Sequence, residues 1–315
     1  MQATLDRILL AMSAAIVLLD ATWLVAGHFR YDATNYALLF LMVLPLVAGA
    51  IFYRSVRQDE ALSGVLACSG FLIVFPAAAA LLSYLLVTIA GARIDDVLAS
   101  ADRAMGFDWP ALMAFVAQYP KANALLGMAY LSVMPQTVLL IFALGFSRRT
   151  TELYGLSLAL GLGAAMTLAI WTVAPSFGAF SVYTLPAPVA AKLGLALGFD
   201  YGHALVAMLR DGPGFISPQE LRGIVGFPSY HTLQALVLMW YARNLAWLRW
   251  PVIALNLICL VAIPIQGGHH FVDMAGGTVV AVASIAMARR IVRFANKFEA
   301  VAGAAVVKPS FTAAS

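Results

Sequence analysis

Residues 227–232 of the chain read FPSYHT, and residues 268–273 read GHHFVD. Each stretch lies at the start of an apolar run that is long enough to cross a bilayer, because about 20 helical residues at 1.5 Å each span the hydrocarbon core. His231 and His269 are 38 residues apart, about the length of one helix across a membrane and a second helix back. We therefore predict that the two histidine clusters meet on one membrane face.

The composition of the chain is that of an integral membrane protein. Of its 315 residues, 63% are hydrophobic and only 11% are charged, whereas a soluble domain carries about twice that charged fraction. The 19 basic residues are scattered along the chain, so its net charge of +4 does not indicate nucleic-acid binding. Cys68 and Cys259 fall inside apolar runs and are interpreted as small core residues.

The apolar runs predict an all-α membrane fold with about eight transmembrane helices. The predicted spans are residues 8–27, 35–53, 64–90, 122–146, 152–175, 230–248, 251–267 and 272–293. In this reading the chain has four parts: N-terminal transmembrane helices in 1–90, an amphipathic interfacial segment in 91–121, a membrane core in 122–297 and a flexible tail in 298–315.

The basic residues predict the orientation in the membrane. With a cytoplasmic C-terminus, twelve Lys and Arg residues fall in inside segments, many of them in the short turns 54–57, 148–149 and 243–249. The other seven fall outside, six of them in two long loops. Because cytoplasmic loops are enriched in Lys and Arg, we expect both termini to be cytoplasmic. The histidine clusters would then face the extracytoplasmic side of a bacterial inner membrane or a plasma membrane.

The first cluster has the pattern of a helix start. Proline before a helix and serine at its cap account for Pro228 and Ser229. They do not account for His231, which would lie in the first turn at the membrane surface. The free N–H groups and the dipole of that turn attract anions, which favours a phosphate beside the imidazole.

The second cluster pairs a histidine with a carboxylate. His269 and Asp273 are four residues apart and would lie on one helix face. A carboxylate that accepts the proton of one imidazole nitrogen fixes the tautomer and leaves the other nitrogen free to attack. The alternatives are a structural pair at a helix cap and a metal site. We expect no metal and no other cofactor, because the adjacent His270 would diverge from His269 and no Cys or Glu surrounds them.

Residues 227–231 resemble the second motif of the PAP2 (type 2 phosphatidic acid phosphatase) superfamily, and the spacing of His269 and Asp273 resembles its third. The form is most similar to the branch that holds the inositol phosphorylceramide synthases. The resemblance covers roughly residues 120–293 and implies a PAP2-like six-helix catalytic core with extra N-terminal helices. It also implies that His269 is the nucleophile and forms a phosphohistidine, that Asp273 orients it, and that His231 is the general acid.

Two features depart from the family pattern. Ala262 and Ile263 stand where many members have Ser-Arg before the nucleophile, and the first motif, with its Lys and Arg-Pro, is absent ahead of His231. The cationic clamp on the phosphate must then come from elsewhere. The predicted substrate-binding residues are Ser229, His270, Arg210, Arg222 and Gln266, with Lys192 as a further candidate for the clamp.

The predicted function is that of a membrane lipid-phosphate phosphotransferase or phosphatase. Its substrate would be a lipid phosphate or phospholipid, and a lipid hydroxyl could serve as acceptor, as in an inositolphosphotransferase. The enzyme alternative is a plain phosphatase of polyprenyl pyrophosphate or phosphatidate. From another class, the chain could be an inactive membrane scaffold or a transporter, but a transporter is expected to carry polar residues within several spans. Here the ionisable groups gather at one rim.

Overall fold

The computed structural model describes residues 2–196 and 200–306 of the chain. Regular secondary structure in these residues is helical, apart from a single bridge between Tyr31 and Ile216. The predicted all-α class is therefore confirmed. The α-helices are α1 (Gln2–Ala26), α2 (Ala33–Ser55), α3 (Glu60–Leu86), α4 (Asp95–Ala104), α5 (Trp109–Val116), α6 (Pro120–Leu131), α7 (Val133–Phe146), α8 (Thr150–Val173), α9 (Ala187–Ala190), α10 (Asp200–Asp211), α11 (Tyr230–Ala242), α12 (Arg249–Gln266) and α13 (Phe271–Val306).

Six helices of the described residues are long and apolar enough to cross a membrane, namely α1, α2, α3, α8, α12 and α13. Helices α6 and α7 provide a seventh span if they are counted as one broken helix, because they are bent by 43° at Ser132. These spans indicate an integral membrane protein.

The predicted span 230–248 is too long. Helix α11 ends at Ala242 after 13 residues, about 20 Å at 1.5 Å per residue and short of the roughly 30 Å hydrocarbon core. The chain then turns at Arg243 before α12 begins at Arg249. The apolar signal continues through this turn because Leu245 and Leu248 are buried in the core. The structure therefore has six or seven candidate spans in its described residues, rather than eight.

Helices α3 and α8 form the centre of the bundle. Helices α1 and α2 pack on α3, and α13 packs along α8. Helix α11 lies against α8, α12 and α13, and large buried side chains such as Phe71, Trp171 and Leu238 fill the space between the helices. Since α12 returns the chain between α11 and α13, the last two begin at the same end of the bundle.

The two predicted peripheral segments have definite structure. Residues 91–121 contain α4, which packs on α13, and α5, whose Trp109 indole N–H donates to the Pro264 carbonyl of α12 at 2.8 Å. The location of this segment in the membrane interface stays a prediction. Helix α13 continues to Val306, so the first part of the predicted tail is helical. Residues 307–315 of that tail lie outside the described residues.

Candidate active site

The structure brings the two histidine stretches together at one end of the bundle. His231 is the second residue of α11, and His269 lies two residues before α13. The backbone N–H of Ser229 donates to the carbonyl of Asp273 at 2.9 Å, which joins the two helix starts directly. This close approach requires Gly277, where a Cβ atom would collide with the Ser229 carbonyl oxygen.

His269 and Asp273 form a buried pair. The Nδ1 atom of His269 lies 3.2 Å from Oδ2 of Asp273, and the two residues are 5% and 0% exposed. The same carboxylate oxygen accepts the backbone N–H of His270 at 2.8 Å, so the turn before α13 is tied to its own first turn. A carboxylate at Nδ1 favours the tautomer with its proton there. The lone pair on Nε2 of His269 is then available for attack.

His231 has an aromatic partner instead. Its ring stacks on Tyr130 of α6 with centroids 4.2 Å apart and planes 13° from parallel. The Tyr130 hydroxyl lies 3.3 Å from Nδ1 of His231. Because the imidazole lone pairs and N–H bonds lie in the ring plane, a hydroxyl that approaches across a stack makes a poorly directed hydrogen bond. Tyr130 therefore orients His231 mainly by packing, and Nε2 of His231 is the nitrogen free to act on a substrate.

Tyr130 also lies against the residues that precede α13. A Cβ atom at Gly267 would be 2.9 Å from the Tyr130 hydroxyl and 2.9 Å from Cδ2 of His269. The hydroxyl and the His269 ring therefore both lie next to Gly267. Tyr130 is buried, stacks on His231 and lies beside the residues that precede His269.

The neighbouring His270 points into a pocket of carboxylates. Its ring is fully buried, with Nδ1 3.4 Å from Oδ2 of Asp102 and Nε2 4.0 Å from Oδ1 of Asp95. Both aspartates belong to α4 and are 1% exposed. They are seven residues apart, which places them two turns apart on one helix face. His270 is thus turned away from His269, as the sequence predicted, and faces protein groups in this structure.

Asp102 caps α13. Its Oδ2 accepts the backbone N–H of Phe271 at 2.9 Å, and its Oδ1 accepts that of Val272 at 3.1 Å. A carboxylate at a helix N-terminus satisfies orphan donors and opposes the positive end of the helix dipole. The start of α13 is therefore held from outside by α4, about 170 residues earlier in the sequence.

Asp95 fixes the other wall of the site. Its Oδ1 accepts three bonds of 2.8–2.9 Å, from the Ser176 hydroxyl and from the N–H groups of Phe177 and Gly178. Its Oδ2 pairs with Arg93 at 2.9 Å. The next residue of this loop, Ala179, donates its N–H to the carbonyl of Gly268, directly before His269. Asp95 thereby positions the loop that bonds to the backbone directly before His269.

Two further residues that were predicted to bind substrate, Ser229 and Gln266, are buried and bonded to the protein. The Ser229 hydroxyl caps α11 by accepting the N–H of Thr232 at 3.3 Å and is fully buried. Gln266 is also buried: its side-chain amide donates to Asn123 at 2.6 Å and its oxygen accepts the N–H of Ala196 at 2.9 Å. Their roles in substrate binding stay predictions.

Arg210, near the end of α10, and Arg222, in the segment before α11, are both exposed. Arg210 pairs with Asp211 through two bonds of 2.8 Å, which lower the pKa of Asp211. The backbone N–H of Arg222 donates to the Tyr84 hydroxyl at 3.1 Å. The suggestion that either one clamps a phosphate stays a prediction.

The first turns of α11 and α13 differ in what they offer an anion. The first N–H groups of α13 are occupied by Asp102. In α11, the neutral Ser229 occupies only Thr232, and the N–H groups of Tyr230 and His231 have no acceptor within their own helix. The start of α11, next to His231, therefore keeps backbone N–H donors that its own helix and cap do not use. This is the turn at which the sequence predicted an anion.

Sequence reasoning missed Tyr130, Asp95 and Asp102. Tyr130 lies in an apolar run and gives no signal of its own. The two aspartates did carry a signal, because a seven-residue spacing puts both on the same helix face as the apolar Leu98 and Ala99. Within the described residues, no three His, Cys, Asp or Glu side chains are grouped so as to hold a metal ion.

A family model described as the PAP2 superfamily matches residues 96–287 of the chain. This range runs from the first turn of α4 into α13, and it contains both histidine stretches, Tyr130 and Asp102. No curated protein and no solved structure matches the chain significantly.

Proposed function

Because the chain belongs to the PAP2 superfamily, we propose that it cleaves phosphate esters through a phosphohistidine, as a phosphatase or a phosphotransferase. His269 is the nucleophile, Asp273 orients it, and His231 is the general acid. The observation that carries this proposal is the buried contact of 3.2 Å between Nδ1 of His269 and Asp273, which leaves Nε2 as the reactive nitrogen.

In the first step, the lone pair on Nε2 of His269 forms a bond to phosphorus, and the bond from phosphorus to the ester oxygen breaks. The alkoxide that leaves takes a proton from Nε2 of His231. Asp273 stabilises the positive charge that develops on the His269 ring, as the aspartate of a triad does. The open N–H groups at the start of α11 are placed to bind phosphate oxygens.

In the second step, an oxygen nucleophile attacks the phosphorus of the phosphohistidine and the N–P bond breaks. Its electron pair returns to Nε2 of His269, and the proton of the nucleophile passes to His231. Water gives inorganic phosphate, and an acceptor hydroxyl gives a new phosphoester. Covalent catalysis divides the reaction in this way without fixing which acceptor is used.

The substrate of this proposal is a lipid phosphate or phospholipid, and a transfer reaction would use a lipid hydroxyl, as in the inositol phosphorylceramide synthase branch. The site lies at the ends of membrane-spanning helices, where a lipid headgroup is at the right depth. We further propose that the histidines face the extracytoplasmic side. In support, Arg243, Arg289 and Arg293 gather at the opposite end of the bundle, as expected for a cytoplasmic end.

The test is incubation of the purified full chain, with EDTA present, with phosphatidate, polyprenyl pyrophosphate and phosphatidylinositol, each with and without ceramide or diacylglycerol. Free phosphate identifies a phosphatase, and a new lipid that carries the headgroup identifies a transferase. The control is His269→Ala prepared in parallel. If no member of the panel is consumed, or the variant matches the wild type, the chain is a scaffold or transporter and the proposal fails. If turnover requires one added divalent ion, the metal-free mechanism fails.

A further inference from the structure

A polar cavity lies at the end of the bundle opposite the histidines. It has a volume of about 240 Å³ and is formed by the start of α8, the end of α11 and the middle of α13. Arg289 in its wall is 18 residues after Phe271, about 27 Å along the helix at 1.5 Å per residue. Arg243 in the same wall is 12 residues after His231, about 18 Å by the same measure, so the cavity lies at the opposite end of the bundle from the histidines.

Three arginines give the cavity its charge. Arg243, Arg289 and Arg293 line it, against one carboxylate, Glu152. The Arg243 guanidinium carbon lies 3.5 Å from the ring centroid of Trp240, and that of Arg289 lies 5.4 Å from the same centroid. Two guanidinium groups thus share one indole.

Within the described residues, one carboxylate stands against the three arginines of the cavity. Partial burial and the charge of Arg289 lower the pKa of Arg243, and the attraction of Glu152 is a smaller influence than the repulsion of Arg289. Glu152 itself lies 3.8 Å from Arg149. A net positive charge held in a partly buried cavity is stabilised by an anion.

Two of the arginine side chains are held by hydrogen bonds and keep further N–H donors for a ligand. Arg243 donates one N–H to the Trp240 carbonyl at 2.6 Å, and Arg293 donates one to the Arg289 carbonyl at 3.2 Å. Each guanidinium has five N–H donors, so these bonds fix the side chains without using up their capacity. Planar guanidinium groups are well suited to bind phosphate.

Two neutral features lie in the wall of the same cavity. The Tyr241 residue is 4% exposed, and its hydroxyl has no hydrogen-bond partner within the described residues. That hydroxyl lies against Gly155, which also lines the cavity. The first turn of α8, with Thr151 in the cavity wall, has no side-chain cap from Arg149. Its N–H groups therefore present the positive end of the helix dipole.

We propose that this cavity binds the phosphate of an anionic phospholipid in the leaflet opposite the histidines. The source is a lipid because of where the cavity lies. Trp247 and Trp250, in the adjoining turn and at the start of α12, are 65% and 64% exposed. Exposed tryptophans at a helix end mark the headgroup region of a membrane. This site is separate from the proposed active site and does not depend on its chemistry.

The experiment measures binding to the purified full chain in a neutral detergent. Thermal unfolding is followed while dioctanoyl phosphatidylglycerol, dioctanoyl phosphatidylcholine or inorganic phosphate is added at matched ionic strength. We expect phosphatidylglycerol to raise the Tm at concentrations about tenfold lower than either of the others, since a zwitterionic headgroup brings its own cation to the arginines.

The variants locate the effect. Arg243→Gln with Arg289→Gln is expected to weaken phosphatidylglycerol binding by about tenfold or more. The matched control is Arg249→Gln with Arg290→Gln, which removes the same charge from the same end of the bundle outside the cavity, and it is expected to bind like the wild type. Tyr241→Phe keeps every charge and the fold, and it is expected to weaken binding by about two- to fivefold through the lost hydroxyl.

Four results would contradict the proposed lipid site. Equal loss in the double variant and its matched control means a diffuse surface charge and overturns the site. Equal protection by phosphatidylcholine, or unchanged binding in both Tyr241→Phe and the Arg243 and Arg289 variant, also overturns it. If inorganic phosphate protects as well as phosphatidylglycerol, the lipid assignment is overturned and the cavity is a site for free phosphate.

Discussion

The first turns of α11 and α13 lie side by side. Carboxylates cap the first turn of α13 (the capped side), whereas no carboxylate of the described residues caps the first turn of α11 (the uncapped side). Asp102 occupies the first N–H groups of α13, and Asp273 holds His269 from the same turn. The start of α11 has only the neutral Ser229 as a cap, and His231 rests on an aromatic ring. The difference separates two tasks. We propose that the carboxylates fix His269 as the nucleophile and keep an anion from the start of α13, whereas the neutral turn of α11 keeps backbone N–H donors for a phosphate beside His231.

The largest expected effect is that of replacing His269, on the capped side. His269→Ala removes the nucleophile, so turnover of lipid phosphate and of an aryl phosphate should both fall by about 10⁴-fold or more, as for the loss of a triad nucleophile. His28→Asn is the matched control, because His28 is exposed and at a positive φ that asparagine tolerates. Initial rates of both variants check this, and a His269→Ala rate above a tenth of wild type contradicts it.

His231→Ala, on the uncapped side, tests with two substrates whether His231 protonates the leaving group. A lipid alkoxide needs a proton to depart, so turnover of phosphatidate should fall by about 10²- to 10⁴-fold. A nitrophenolate needs none, so turnover of nitrophenyl phosphate should stay within about tenfold of wild type. The ratio of the two rates is the measurement. Equal losses on both substrates would mean that His231 does not act on the leaving group.

Asp102→Asn tests whether the acid cap matters. Asparagine has one acceptor oxygen where aspartate uses two, so one of the Phe271 and Val272 N–H groups loses its partner. We expect a stability loss of about 1–3 kcal/mol and, since His269 shifts, a kcat about 10- to 100-fold lower with little change in KM. Asp96→Asn, exposed on the same helix, is the control. A Tm and kcat equal to those of the control would remove Asp102 from the account.

Tyr130→Phe is expected to have the smallest effect. It keeps the stack on His231 and removes a hydroxyl that approaches Nδ1 from across the rings. A weakly directed bond of this kind contributes up to about 1 kcal/mol, so lipid phosphate turnover should fall by less than about tenfold. Tyr119→Phe, with a residue that is 52% exposed, is the control. A loss as large as that of His231→Ala would mean that the hydroxyl itself moves the proton.

Sequence spacing predicted the contacts between residues that are close in the sequence, or that are joined by one helix leading away from the site and a second helix leading back. The four-residue spacing of His269 and Asp273 predicted their pairing, and the 38 residues from His231 to His269 predicted that the clusters meet. Both contacts are confirmed, but not on the helix face that the spacing assumed: His269 lies two residues before α13, and Asp273 reaches it from the first turn of that helix.

The rest of the site depends on tertiary contacts. Asp102 reaches α13 from about 170 residues away, and nothing in the local pattern indicates which helix start a buried carboxylate will cap. The predicted helix 230–248 was too long for a related reason. Leu245 and Leu248 are apolar because they pack in the core from a turn, and a hydropathy pattern does not distinguish this from a membrane span.

The most direct test of the account is to identify the phosphorylated residue. The protein is mixed with nitrophenyl phosphate, quenched in alkali, where phosphohistidine survives, and digested for mass spectrometry. His231→Ala is treated in parallel. We expect phosphate on His269 in both proteins, and none in His269→Ala. Phosphate on His231, or a His269→Ala protein that still becomes labelled, would contradict the assignment of the nucleophile to the carboxylate-held turn.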